Sequence, residues 1–441
     1  MCIRDSGDVE RGLASPGTKI EALYELPYQA HAAMEPMACT VLYTPERMDV
    51  WTGSPGPDGV LRTAARVSGH PVEKVFVYNA WVGGSFGGGA RPRQAVHHAV
   101  LVAKRVPGRP VKVLWTREQD IAMDMYRNMA VARCRATVGA DGMPVAAFYR
   151  SVTDQEGPQP EEIPVGRHQV VIDRQAAYGF SSLPYGIANQ RVEISSPQTT
   201  VPIASWRAPG HVNAAFVIES FIDELAHAGG EDPYKFRRRL LEMNPGDDPG
   251  FRHKAAWIEA LDLVAEKSGW GTPLPRGRGR GIAIDDRRKH WSVEARRLST
   301  NHALVTVTAV VAEVTVSPQG RLRVDRVTVA HDIGDGLINP EAVERQIHGQ
   351  FAWAMSAGIH QEITIDRGRV VQSNFHDYPM LRMDEFPPRI DIHYFPKFEL
   401  IAGAGEEVIP SIMPAICNAI FAATGKRVRT LPLKHHDLSW S

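Results

Sequence analysis

The chain is poor in cysteine: only Cys2, Cys39, Cys134 and Cys417 occur among 441 residues. No pair has the close spacing of zinc or iron–sulfur ligation, so this chain alone does not build such a centre. Nothing in their placement argues for a disulfide framework. Long apolar runs are missing too, and none reaches the roughly 20 residues that a helix needs to span a bilayer. Nor is there an excess of either charge: 50 basic residues stand against 50 acidic ones, which removes a strong electrostatic pull toward nucleic acid or an anionic membrane. The sequence has no H-E-x-x-H, no phosphate-loop Gly-Lys-Ser/Thr and no fixed-period repeat. Its seventeen histidines include the adjacent pairs His97–His98 and His435–His436, which do not share a helix face, so no protein-only metal site is indicated.

What is present is the composition of an ordinary globular protein, too long for one core, with two or three domains expected. Met1-Cys2-Ile3-Arg4-Asp5-Ser6 fits nothing that follows and resembles translated adapter sequence. Residues 1–17 are therefore set aside as non-native or disordered. Residues 18–52 alternate apolar and polar groups and read as strands. Asp58–Gly69 is a short helix ended by Gly69 and Pro71, and a strand over Glu73–Tyr78 follows. Further on come a helix Gln94–Val106, a strand Val111–Trp115, and a hairpin, Ala130–Val138 with Val145–Val152, turned at Asp141-Gly142. Residues 153–200 read as a long connection with short strands. Helices are expected over Ala214–Ala228 and, with proline at the first position, over Pro233–Met243.

Asn244–Gly250 is the best domain boundary, dividing a first domain of residues 18–245 from a second of 246–441. Beyond it a helix spans Ala255–Ser268, and the basic run Pro275–Gly281 reads as a solvated loop. Two strands within residues 303–331 join at Pro318-Gln319-Gly320. Helices cover Pro340–Ile359 and Ile409–Ala423, the latter closed by Gly425. Strands and helices mix without strict βαβ alternation, so the fold class is α+β.

Three stretches carry chemistry. Ile401-Ala402-Gly403-Ala404-Gly405-Glu406 sets a carboxylate directly behind a Gly-x-Gly turn and ahead of an apolar helix. Beside an apolar wall Glu406 would serve as a general base; it would equally serve as a helix-start carboxylate favoured by the dipole. Gly83-Gly84-Ser85-Phe86-Gly87-Gly88-Gly89 stands between a strand and a helix. It offers bare backbone N–H groups to an anion or a bulky cofactor, or else is a flexible turn. Ser205-Trp206-Arg207-Ala208-Pro209-Gly210 holds an arginine between tryptophan and proline, pre-organised to grip an oxyanion or to cap nearby carbonyls.

Taken together these stretches resemble the molybdenum-cofactor-binding subunits of the xanthine dehydrogenase/aldehyde oxidase superfamily, in particular isoquinoline 1-oxidoreductase β-subunits. His31-Ala32-Ala33-Met34-Glu35-Pro36 is similar to the family's A-H-A-x-M-E-P run, and Gly83–Gly88 to its G-G-G-F-G loop. Trp206-Arg207 with Glu219-Ser220-Phe221-Ile222-Asp223-Glu224-Leu225 resembles W-R-x-x-G…E-S-F-x-D-E-L. Ile338-Asn339-Pro340 with Gln346 and Gly349 resembles I-N-P…Q-x-x-G, and Gly403–Glu406 resembles the G-x-G-E that bears the base. The order of the runs matches from about residue 18 to the end. Where the family has T-Q-x-P, this chain carries Thr52-Gly53-Ser54-Pro55.

The resemblance implies two mixed α/β-layer molybdopterin-binding domains and oxidation of an aldehyde or aromatic N-heterocycle with water as the oxygen source. Glu406 would be the base that deprotonates the attacking oxygen, and Arg207 would orient or stabilise the substrate. Gly83, Gly84, Ser85, Phe86, Gly87, Gly88, Gly403 and Gly405 would line a molybdenum–molybdopterin cofactor, in its cytosine dinucleotide form. Its metal is held by pterin sulfurs rather than side chains. Electrons would leave through a [2Fe–2S] cluster on a small partner subunit, with a cytochrome c as onward acceptor. A catalytically degenerate scaffold subunit of the same fold is the alternative. The compartment stays open between periplasm and cytoplasm of a bacterium.

Overall fold

In the computed structural model an alternating segment such as Thr18–Leu26 forms a strand with Ala22, Tyr24 and Leu26 buried on one face. The structure describes residues 2–87, 91–154, 174–244, 254–289, 304–334, 336–396 and 403–441. The strands are β1 (Cys2–Ser6), β2 (Thr18–Leu26), β3 (Ala38–Tyr43), β4 (Met48–Gly53), β5 (Val75–Ala80), β6 (Pro110–Leu114), β7 (Ala130–Val138), β8 (Pro144–Thr153), β9 (Asn189–Ser195), β10 (Arg278–Lys289), β11 (Leu304–Val316), β12 (Leu322–His331), β13 (Ile365–Asp366), β14 (Arg369–Val370) and β15 (Ile390–Tyr394). The helices are α1 (Val9–Ala14), α2 (Pro57–Ser68), α3 (Arg91–Ala103), α4 (Arg117–Ala122), α5 (Arg174–Ala177), α6 (His211–Ala228), α7 (Pro233–Met243), α8 (Lys254–Ser268), α9 (Pro340–Ile359) and α10 (Ile409–Thr424). Mixed sheets with helices packed on them make this an α+β fold. Among the described residues no helix is long and apolar enough to cross a membrane.

A four-stranded sheet has the order β5-β4-β3-β6, with β5 parallel to β4 and the other pairs antiparallel. One of its faces buries Cys39, Val41 and Val50 against Val60 and Ala64 of α2 and Val96 and Val100 of α3. The glycine run leaves the end of β5 and leads toward α3, so its entry is anchored by this small core.

A five-stranded sheet, β1-β9-β8-β7-β2, and a four-stranded sheet, β10-β11-β12-β15, supply the larger core. Tyr24, Phe216 and Phe221 lie in the same buried cluster as Val310, Val327 and Ile416. The cluster thus draws on chain from both sides of Asn244, and the boundary expected at Asn244–Gly250 falls almost wholly outside the described residues. Helix α6 is buried along nearly its whole length and packs against α10, which in turn lies on β10 and β11.

Two expectations are corrected. Residues 1–17 are not left out of the fold: β1 pairs antiparallel with β9, and α1 follows with Asp8 accepting the Arg11 N–H as its N-cap. The open edge of β9 supplies the hydrogen-bonding groups that order Cys2–Ser6. The basic run Pro275–Gly281 is not a solvated loop either, because Arg278–Gly281 opens β10. A Cβ on Gly281 would sit 2.2 Å from the Ala419 nitrogen and 2.3 Å from the Ala415 oxygen, and one on Gly279 2.3 Å from the Ala419 oxygen. The two glycines let α10 lie directly on the strand.

Candidate active site

Three segments distant in sequence meet where α6 and α10 begin and α9 passes between them. The glycine run turns through Gly84 and Gly87, at φ +106° and +104°. A Cβ on Gly87 would stand 2.5 Å from the Ser205 oxygen and 3.0 Å from the Arg207 nitrogen. Absence of a side chain is therefore what lets this loop touch the arginine segment. The contact is closed by the Arg207 N–H, which donates to the Phe86 carbonyl at 2.8 Å. Gly83 donates its N–H to the Glu35 carboxylate, tying the loop to the His31–Pro36 run. The Ser85 hydroxyl is buried without a hydrogen-bond partner among the described residues. Gly88 lies outside the described residues.

Arg207 reaches toward the C-terminal segment. Its Nε donates to the Gly405 carbonyl at 2.6 Å and its Nη2 to Gln346 Oε1 at 2.8 Å. Burial pulls the guanidinium pKa down from its ordinary value, while the nearby Glu406 and Glu407 carboxylates pull it back up. Beneath it the Phe86 ring stacks on Trp353 at 4.1 Å, and buried Trp206 packs on the same indole at 5.1 Å.

Glu406 is partly exposed, two residues ahead of the α10 N-cap Val408. Its Oε2 accepts the Ala208 N–H at 2.8 Å, which joins the candidate base to the arginine segment through one backbone amide. The start of α10 is capped by another side chain: Gln350 Oε1 accepts from Val408 N at 2.7 Å and Ile409 N at 3.3 Å, while its Nε2 donates to the Ala404 carbonyl at 2.8 Å. Gln350 thereby satisfies two donors at the helix start.

Backbone conformation marks the same place. Ala32, Phe86 and Ala208 have φ values of +43°, +52° and +69°. The remaining non-glycine residue with positive φ among those described, Arg367, lies in the β13–β14 turn. Left-handed backbone at non-glycine residues is held only where surrounding contacts enforce it.

Two cavities flank the Arg207–Gln346–Gly405 bridge. One, of about 390 Å³, is lined by Gly336, Asn339, Gln346, Ala404 and Gly405. The other, of about 360 Å³, is lined by Ala32, Met34, Phe86, Arg207, Gly349 and Trp353. Gly405 is exposed, with nothing within 4 Å of where a Cβ would be, whereas Gly403 is partly buried.

These surfaces fit a large, flat organic cofactor: open backbone at Gly405, a Ser85 hydroxyl with no hydrogen-bond partner among the described residues, and an aromatic floor of Phe86 and Trp353. Among the described residues no group of three His, Cys, Asp or Glu could hold a metal ion.

The candidate site residues Glu406, Arg207, Phe86, Gly87 and Gly405 are brought together, while Gly83 and Gly84 lie at the loop's outer end. Sequence reading missed Gln350, Trp353 and Asp124. Gln350 and Trp353 share one face of α9 with Gln346. A glutamine at i and i+4 on an apolar helix was the available signal.

Comparison with known proteins places the chain in a family. Two models, each described as a molybdopterin cofactor-binding domain, match residues 2–241 and 242–387. A nicotinate dehydrogenase chain of Pseudomonas putida is 29% identical over 98% of this chain and 36% of its own length. The β-subunit of isoquinoline 1-oxidoreductase from Brevundimonas diminuta is 27% identical over 97% of this chain and 51% of its own. The chain thus spans at most about half of these relatives. Quinoline 2-oxidoreductase from Pseudomonas putida 86 superposes with a TM-score of 0.82 at 15% identity, covering 98% of this chain and 77% of that one. On the domain models and the sequence relatives together, the chain belongs to the molybdenum-binding large subunits of the xanthine dehydrogenase family.

Proposed function

We propose that this chain is the substrate-oxidising part of a molybdenum hydroxylase. An aldehyde or an aromatic N-heterocycle is hydroxylated with oxygen from water, and the electrons pass to a small [2Fe–2S] subunit and onward to a cytochrome c. The observation that supports the reading is the Ala208 N–H to Glu406 Oε2 bond, which ties the carboxylate to the residue after Arg207, itself a lining residue of one of the two cavities. The names of the nicotinate and isoquinoline relatives support the substrate class.

When bound, the molybdenum–molybdopterin group, in its cytosine dinucleotide form, supplies the oxidant that takes the electron pair leaving the substrate carbon. This chain's residues do the rest. The backbone of Gly83–Gly87, Gly403 and Gly405 admits the flat cofactor at close range. Glu406, oriented by the Ala208 amide, takes the proton from the water-derived oxygen as it attacks the electron-poor carbon. Arg207 has Nε and Nη2 committed to neutral oxygens, so its remaining charge stabilises the oxygen on which negative charge develops.

Glu406→Gln removes the base and keeps the shape. Turnover in the assembled enzyme should fall by about 10²–10⁴ while molybdenum and pterin content stay unchanged. Near-normal turnover would take Glu406 out of the reaction. A stable assembly free of molybdenum would instead favour the catalytically inert scaffold.

A further inference from the structure

The Ser205–Ala208 backbone is held at successive groups by three different parts of the molecule. The Arg207 N–H goes to Phe86 of the glycine loop, and the Ala208 N–H to Glu406. The Ser205 carbonyl lies 2.9 Å from His31 Nε2. His31 is wholly buried, and so is Asp124 beside it. The His31 backbone N–H donates to Asp124 Oδ2 at 2.6 Å, and ring Nδ1 lies 3.1 and 3.3 Å from the two carboxylate oxygens. A carbonyl oxygen only accepts, so the contact with Ser205 is a donation from the ring Nε2. The result is a rigid strut from Asp124 through the imidazole to the one carbonyl that precedes Trp206-Arg207. The next residue, Ala32, has φ +43° and lines the cavity that Arg207 also lines.

We propose that His31 is a positioning residue: by donating from Nε2 to the Ser205 carbonyl it fixes the backbone of Arg207 and Ala208, and through the Ala208 amide the Glu406 carboxylate. A histidine–aspartate contact that merely stabilised the fold would need no contact with Ser205. The strut also explains the close approach at Gly87, since the Ser205 oxygen that a Gly87 Cβ would meet at 2.5 Å is the oxygen His31 holds in place. Without this bond the 205–208 segment retains, among others, the Phe86 and Glu406 contacts and the Arg207 bonds to Gly405 and Gln346, and these four partners are exposed or partly exposed.

Two near-isosteric variants separate the roles. His31→Gln places an amide N–H near the position of Nε2 and preserves donation to Ser205. His31→Asn places one near Nδ1, preserving donation to Asp124 and losing Ser205. Hydrogen exchange at the Arg207 and Ala208 amides is the readout, with the buried amides of α6 as the internal reference for folding. The expected result is exchange about tenfold or more faster in H31N than in wild type, the loss of one hydrogen bond worth about 1.4 kcal/mol, with H31Q close to wild type. Unchanged protection in H31N, or equal loss in both variants, overturns the proposal. Should H31N exchange globally, H31Q decides alone: retained local protection supports the strut and lost protection refutes it. In the assembled enzyme H31N should lower kcat with KM little changed, which rests on the hydroxylase reading. The exchange result does not, so the two fail separately.

Discussion

Two arginine–glutamate clusters lie at and just ahead of α6, one at Glu219 within the helix and one at Arg207 before its start, and they differ in burial and in bonding. At Glu219, Oε1 accepts from the Tyr185 hydroxyl at 2.6 Å, and Oε2 accepts from Arg237 Nε at 2.9 Å and Ile284 N at 3.1 Å. Arg237 also donates to the Glu219 and Pro233 carbonyls. Both side chains are buried. Burial lifts the Glu219 carboxyl above its ordinary value even beside the guanidinium that opposes the shift. At Arg207 and Glu406 the guanidinium bonds to neutral oxygens, the carboxylate accepts from a backbone amide, and cavities open on both sides. A saturated buried network specifies a fold; the Arg207 cluster, which borders two cavities, is the one proposed above to act on a substrate.

The comparison is sharpest under exchange of insults. Arg237→Ala strands Glu219 in the core, and breaking a buried pair in this way costs about 3–5 kcal/mol. Urea unfolding should show that loss together with a lower yield of folded protein. Glu406→Gln should leave the unfolding midpoint where it is and remove turnover. If Arg237→Ala proved mild, or Glu406→Gln destabilising, the division between structural and chemical clusters would not hold.

Arg207→Lys comes next. A lysine keeps the charge but cannot reach the Gly405 carbonyl and Gln346 together through a planar fork. Loss of one charge-assisted bond is worth about 1.5–3 kcal/mol, so kcat/KM should drop by roughly 10- to 150-fold in steady-state assays. A lysine variant as active as wild type would mean that charge alone matters at this position.

Gln350→Ala tests the support beneath. It uncaps two helix N–H groups and frees the Ala404 carbonyl, at about 1–2 kcal/mol by analogy with N-cap loss. Thermal unfolding should report it, and turnover should fall in parallel, because Gln350 holds the segment that carries Glu406. Loss of stability with full activity would detach the cap from the site.

How far the sequence revealed this differs by element. Gly405-Glu406 and the Gly83–Gly87 run stood out because close backbone approach leaves a compositional trace, and Asp141-Gly142 and Pro233 because turn and helix-start chemistry is local. Gly279 and Gly281 misled for the converse reason: glycine between arginines is locally a loop, and only α10 lying across them makes a strand. Asp124 and Trp353 left no trace, since their contacts are with His31 and Phe86, far off in the chain. The division between Glu219 and Arg207 was equally hidden, as both fall within a single signature run.

The smallest expected effect concerns Ala208, whose φ of +69° presents its N–H to Glu406. Glycine there relieves left-handed strain of about 1–2 kcal/mol. It also gives up about 0.5–1 kcal/mol to chain entropy and about 0.8 kcal/mol for a buried methyl. These offset each other, so Ala208→Gly should move the unfolding free energy by less than about 1 kcal/mol. Ala208→Val, β-branched in a left-handed well, should cost clearly more by the same denaturation measurement. A strongly stabilising glycine would mean that the turn is strained against its surroundings; a neutral one means that Phe86, His31 and Glu406 together dictate it. That distinction decides whether the open cluster is as well determined as the closed one at Glu219, though built from backbone contacts instead of buried charge.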